Sequence, residues 1–302
     1  MPLNKQVMNI TILNSIYSFM KDGHYRPQNC EAVQKVAIVV PYRYRQRQLQ
    51  VFLNNVIPRI HQQQLEFVIY VIEQKSGLPF NRGILANIGF KEALSDMEFD
   101  CIVIHDVDVL PEDDRNFYIC SDNPIHMAVK VEQFGYRLLY AKLTGGITTF
   151  SKEQFEQING FSNQFFGWGG EDDDLYRRIK FHKYELLRPF EDFGNCGSVS
   201  HVPAEKSNDR NPSVARSDFQ FSLNDENIEY VSSYQYLGLL FLDYQLMAKA
   251  VARSASRALC LLIVKCKAHG GFQHNIYTKQ GKYTPNDAVS GGMGWKPQCV
   301  KQ

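Results

Sequence analysis

Three unbroken apolar runs constrain this chain most: Val36–Pro41, Phe67–Ile72 and Cys101–Ile104. A strand wet on one face alternates apolar with polar residues. These do not, so each must be covered on both faces. Between the first two runs, Leu49, Phe52, Val56 and Ile60 recur at helical steps, with Pro58 near the end of that helix. Between the second and third, Ile84, Ile88 and Leu94 mark another helix. Strand–helix–strand–helix–strand predicts a parallel sheet with helices on both faces. Met127–Val131 and Gly146–Phe150 read as further strands, and Ser151 with Gln154 forms a capping box for a short helix stopping near Gly160. The expectation is α/β: a mixed, mainly parallel sheet flanked by helices in one large domain, for which 302 residues are ample.

Ligands of such sheets bind beyond the carboxyl ends of the strands. Two polar segments lie there. Tyr42-Arg43-Tyr44-Arg45 follows the first strand, and its alternating arginines could face one diphosphate or remain an ordinary solvated surface. Asp106-Val107-Asp108 follows the third and places two carboxylates on one side of an extended segment. Hard oxygen ligands suit Mg²⁺ or Mn²⁺ bridging a diphosphate; a strand-end turn with solvated aspartates is the competing reading. Further on stands Trp168-Gly169-Gly170-Glu171-Asp172-Asp173-Asp174. An aromatic plate beside carboxylates can hold a sugar ring, and it can also be a turn with a core tryptophan. Acids in a first helical turn favour the positive end of the dipole. Four in succession repel one another, which calls for a further reason, such as a base for a hydroxyl with neighbours that fix the acceptor. His201 stands alone in sequence; lone histidines are more often structural than ligating.

Net charge is +1, which gives no global field for nucleic acid. From Ser233 onward, however, nine Lys/Arg face only two Asp, so the tail differs from the body. Seven cysteines lack the close pairing of a zinc knuckle. Residues 1–19 have neither the apolar core of a signal peptide nor that of a membrane span. A lone glycosylation sequon occurs at Asn9-Ile10-Thr11, and residues 201–218 read as a mobile polar loop.

Together these residues resemble the β-1,4-galactosyltransferase family, inverting enzymes of the GT-A fold. The matching stretches are Val36–Arg45, Phe80-Asn81-Arg82, Asp106–Asp108, Phe150–Phe161 and Phe166–Asp174, in family order, within a similarity running from about Gly23 to about Tyr230. The resemblance implies that Pro41, Tyr42, Arg43, Tyr44, Arg45, Phe80, Asn81, Arg82, Val107 and Asp108 hold the uridine diphosphate. Asp108 and His201 would be Mn²⁺ ligands. Trp168 would ride on a loop that closes over the donor. Tyr140, Gly170, Glu171, Asp172 and Asp173 would bind an N-acetylglucosamine acceptor, with Asp172 as the base at its O4. Cys101 and Cys120 would form a disulfide.

Four departures qualify this. Ser198 stands where the family often has a third metal ligand, a methionine. Leu143 replaces the tyrosine that crowds the N-acetyl group of UDP-GalNAc, as in relatives that resemble N-acetylgalactosaminyltransferases. The family's acceptor-binding arginine falls near Val214, with Arg216 beside it. The partner of the family cysteine at Cys30 would lie upstream, where this chain has none.

The expected domains are a stem-like segment at 1–22, a catalytic domain at 23–232, and a basic, apolar extension at 233–302. Loss of the family's terminal strands in that extension would weaken the domain. The expected activity is Mn²⁺-dependent transfer of GalNAc or Gal from a UDP-sugar to O4 of a terminal GlcNAc, in the Golgi lumen by resemblance, although no anchor is read in this chain. The alternatives are a UDP- or glycan-binding homologue with little turnover, or a same-fold transferase using another UDP-sugar.

Overall fold

A computed structural model describes residues 1–201 apart from Asp22, residues 75–78 and residues 191–192. It also describes the backbone of two later strands, Gln235–Gly238 and Cys299–Lys301.

The chain opens with helix α1 (Ile10–Ile16), followed by β1 (His24–Tyr25), β2 (Cys30–Ala32) and β3 (Lys35–Tyr42). Then come α2 (Gln46–Gln62), β4 (Glu66–Glu73), α3 (Arg82–Asp96) and β5 (Cys101–His105). Short strands β6 (Val109–Pro111), β7 (Ile125–His126) and β8 (Lys130–Val131) lead to β9 (Ile147–Ser151). Helices α4 (Lys152–Gln157) and α5 (Glu171–Phe181) precede β10 (Asn195–Ser198); β11 (Gln235–Gly238) and β12 (Cys299–Lys301) follow.

The three apolar runs form the parallel heart of the main sheet: β3 pairs in parallel with both β4 and β5. Its flanks are antiparallel, β9 against β5 and β7, with β1 and β11 against β4. Side chains of β3 alternate between two cores, as a strand covered on both faces requires. Val36, Ile38 and Val40 pack with α2, while Ala37 and Val39 pack with α3. Each of the valines and the isoleucine contributes about 1.5–3 kcal/mol relative to exposure. A second small sheet, β6-β10-β8, sets β10 beside the segment after β5, with Ser198 opposite Val109.

Several expectations change in detail. Met127–Val131 is not one strand, because Met127, Ala128 and Val129 run between β7 and β8. Pro58 lies inside α2, just before its last turn, and the Asn54 carbonyl that its missing N–H leaves free accepts from the Tyr17 hydroxyl at 3.3 Å. Within the first 22 residues, Leu13, Tyr17 and Met20 are buried in the same core as α2. Within the expected extension, β11 pairs with β4 of the main sheet and β12 pairs with β2. The Ser151–Gln154 capping box is present, and Cys101 is bonded to Cys120. Cys30 is also disulfide-bonded. Val214, Arg216 and most of the polar loop lie outside the described residues.

Candidate active site

The parallel strands deliver the site. Pro41 and Tyr42 complete β3 and are buried, so the ligand edge begins at Arg43. The Arg43 guanidinium lies 5.4 Å from the Phe80 ring centroid, within cation–π range. Tyr44 turns through positive φ and is 70% exposed. Arg45 stands at the start of α2; burial lowers its pKa and the Asp108 carboxylate opposes that.

Asp106 and Asp108 leave β5 with different partners. Asp108 Oδ2 lies 2.6 Å from His201 Nδ1, so the distant imidazole does reach the strand-end carboxylate. The approach follows from β10, which pairs with β6 and passes His201 back beside Asp108; the Val199 N–H donates to the Asp108 carbonyl at 2.8 Å. Asp106 instead meets Arg82, with Arg82 Nε 2.6 Å from Asp106 Oδ1. The two carboxylates therefore do not act as one ligand pair. Behind them, His105 is buried between Tyr118 and its neighbour's carbonyl: Nδ1 is 2.9 Å from the Asp106 oxygen and Nε2 is 2.8 Å from the Tyr118 hydroxyl. Burial pulls the His105 pKa down to about 4, so it stays neutral.

Arg82 joins the two halves of the site. Its Nη1 lies 3.4 Å from Asp172 Oδ1, and its Nη2 is buried without a hydrogen-bond partner among the described residues. Asn81, expected at the donor, also serves the fold. Its Oδ1 caps α3 by accepting from Ile84 N, and its Nδ2 donates to the Asn163 carbonyl. These bonds use one amide donor and one lone pair, and leave one of each for a ligand.

The acidic run divides its labour. Asp174 is fully buried in an ion pair with Arg178 at 2.6 Å, which is structural. Asp172 faces Arg82 and keeps about a quarter of its side chain exposed. Burial and the neighbouring Glu171 push its pKa up to about 8, with Arg82 pulling the other way. Glu171 is raised too, mainly by burial, and its Oε2 is buried without a hydrogen-bond partner among the described residues. Tyr140 bonds Asp173, and burial with that carboxylate holds its phenol well above its usual range. Gly169 and Gly170 both have positive φ, which only glycine adopts freely, and beside them Trp168 stands 68% exposed.

A divalent ion such as Mn²⁺ could take one carboxylate oxygen from Asp108 and one imidazole nitrogen from His201, which come from separate elements. Among the described residues no group of three His, Cys, Asp or Glu side chains forms around them. Ser198 does not supply the third: its hydroxyl lies 3.5 Å from Glu132 and its N–H donates to the same carboxylate.

Two family profiles match in succession: the N-terminal region of glycosyl transferase group 7 over residues 3–121, and the N-terminal domain of galactosyltransferase over residues 125–202. β-1,4-Galactosyltransferase 6 of Rattus norvegicus is 48% identical over 179 residues, which is 59% of this chain and 47% of that protein. β-1,4-Galactosyltransferase 4 of the same species is 46% identical over 191 residues, 63% of this chain and 55% of the relative. The chain belongs to the β-1,4-galactosyltransferase family. It spans about half the length of these curated relatives. A crystal structure of Drosophila β-1,4-galactosyltransferase 7 with manganese, UDP-Gal and xylobiose is 35% identical, with a TM-score of 0.47, covering 52% of this chain and 65% of that one. The first profile begins at residue 3, so the family match takes in the segment expected to be a stem. Among the described residues no helix is long and apolar enough to cross a membrane.

The structure also brings in residues that the sequence left unmarked. Thr144 Oγ1 donates to the Asp172 carbonyl at 2.8 Å. Gly145 lies so close that a Cβ there would sit 2.5 Å from Asp172 Oδ2. The Gly145-Gly146 pair, two residues after Leu143, was the available signal for this close approach.

Proposed function

We propose that this family member is an inverting, Mn²⁺-dependent transferase that moves galactose or N-acetylgalactosamine from a UDP-sugar to O4 of a terminal GlcNAc. One observation carries the reading: Arg82 links the strand-end segment holding Asp108 and His201 to the helix-start carboxylate of Asp172, so that donor and acceptor chemistry share one site. Asp172 takes the proton from the acceptor O4 as that oxygen bonds the anomeric carbon. The bond from this carbon to the diphosphate oxygen breaks, and UDP leaves with the electron pair on the opposite face. A carboxylate with a raised pKa suits general base work near neutral pH. Asp108 and His201 would hold Mn²⁺, which when bound offsets charge on the departing diphosphate. Arg43 and Arg45 add positive charge at the same strand edge. Trp168, exposed on its glycine hinge, closes over the sugar and excludes water.

Leu143 supports tolerance of the N-acetyl group. It precedes Thr144 and Gly145, the two residues against Asp172, and offers no hydroxyl to crowd a C2 substituent. The Golgi lumen, where such acceptors are built, is the proposed compartment.

A panel of UDP-sugars with a GlcNAc acceptor, run with Mn²⁺ and with chelator, tests the proposal. Transfer from UDP-Gal or UDP-GalNAc that the chelator abolishes is expected. UDP binding without transfer or hydrolysis of any donor would leave a binding protein instead.

A further inference from the structure

Among the described residues the segment Tyr140–Gly145 pairs with no strand, yet four of its carbonyls are bound by side chains, that of Thr144 by Thr148 Oγ1 at 2.6 Å and the other three by Arg188 and His126. Arg188 Nη2 donates to the carbonyls of Ala141 at 2.8 Å and Leu143 at 3.0 Å. The carbonyl of Gly145, the next in the same alternation, lies 2.8 Å from His126 Nε2. Arg188 Nε is 3.2 Å from His126 Nδ1. Since a guanidinium only donates, Nδ1 must accept, and the histidine proton therefore sits on Nε2, aimed at Gly145. Two backbone bonds fix the pair: His126 N to the Leu187 carbonyl and Leu187 N to the Pro124 carbonyl, both 2.8 Å. His126 itself is fully buried. On the other side of the segment, Gly145 lies against the Asp172 carboxylate and Thr144 holds the Asp172 carbonyl.

We propose that Arg188 and His126 are positioning residues: together they act as a surrogate strand that holds Tyr140–Gly145, and through it sets the place of Asp172 and the width of the donor gate at Leu143. Neither touches the reacting atoms. The inference rests on the function proposed above for Asp172 and Leu143, and it assigns that site a support outside the acidic run.

The test is Arg188→Ala, with Arg188→Lys as a second variant that keeps the charge and loses the fork. Three quantities are read: kcat with both UDP-sugars, UDP affinity by calorimetry, and the titration of Asp172. The last is followed by NMR of protein labelled at the aspartate carboxyl carbon, assigned with Asp172→Asn. A released segment admits water, so the Asp172 midpoint should fall toward the ordinary carboxylate range while Glu171, Asp173, Asp106 and Arg82 still face it. The expected kcat loss is about 10- to 100-fold, with an altered Gal to GalNAc ratio and unchanged UDP affinity. The titration is read whether or not the wild type transfers sugar, so a failure of the proposed function stays distinct from a failure of the clamp. An unmoved Asp172 midpoint with unchanged kcat overturns the proposal. So does loss of UDP affinity in step with kcat, or unfolding of both variants, because the pair would then be scaffold alone.

Discussion

Gly145→Ala isolates the placement of the base. The added methyl would lie 2.5 Å from Asp172 Oδ2 and 3.1 Å from its Cγ, whereas ordinary contact begins at 3.4 Å. The carboxylate must therefore retreat by about 0.9 Å. A general base works over a heavy-atom window of about 2.6–3.2 Å, so this shift carries it out of reach. Misplacement by about 1 Å costs on the order of 10²-fold, or roughly 2.7 kcal/mol of barrier. Folding should suffer less. The crowded atom is the end of a side chain with room toward solvent, and Gly145 has no positive φ that alanine would strain. Overpacking of this kind costs about 1 kcal/mol, the low end of the range. Steady-state transfer gives kcat and KM, calorimetry gives UDP affinity, and urea unfolding gives stability. The expected result is a kcat about 10² lower with UDP affinity retained. In an Asp172→Asn background the same methyl should add almost nothing, because its effect runs through the carboxylate. A Gly145→Ala enzyme within about threefold of wild-type kcat, or full additivity in the double variant, would refute the reasoning.

Asp172→Asn alone should lower turnover by roughly two to four orders of magnitude while UDP binding persists, and unchanged turnover removes its role as base. Because burial and Glu171 raise the Asp172 pKa, the proton-free base accumulates only as pH rises, so kcat should climb through a limb above the ordinary carboxylate range. Glu171→Gln removes a like charge and should move that limb to lower pH; a wild-type limb near 4 would contradict the placement. Leu143→Tyr should reduce GalNAc transfer relative to Gal transfer, and an unaltered ratio takes Leu143 out of the donor gate. Replacing Cys101 and Cys120 by serine opens a loop of 19-residue separation and should cost roughly 3 kcal/mol in urea unfolding; a loss below about 1 kcal/mol would show that the core holds β5 without it.

The centre of the fold was legible because both-face burial leaves a signature of one residue type: β3, β4 and β5 are continuous apolar runs, and each is found where its run predicts. The antiparallel flanks were less legible. β7 and β8 are two residues each, too short for periodicity to separate them from the loop between. The site divides in the same way. Asp108, Asp172 and Trp168 stand out because their neighbours are unusual, whereas the Asp108–His201 meeting depends on β10 pairing with β6, a contact across more than eighty residues that no spacing reveals. Asn81 carries a part the motif does not announce: its hydrogen bonds to Ile84 and Asn163 brace the helix that carries the site, and no spacing shows them. Arg188 and His126 were invisible for the opposite reason. What they do is bind backbone carbonyls, and a carbonyl is the same at every position, so no residue type in Tyr140–Gly145 announces that it is being held. Residues that position a catalytic base through backbone alone should therefore be sought in the structure, wherever an irregular segment beside the base has its carbonyls bound by side chains from outside the site.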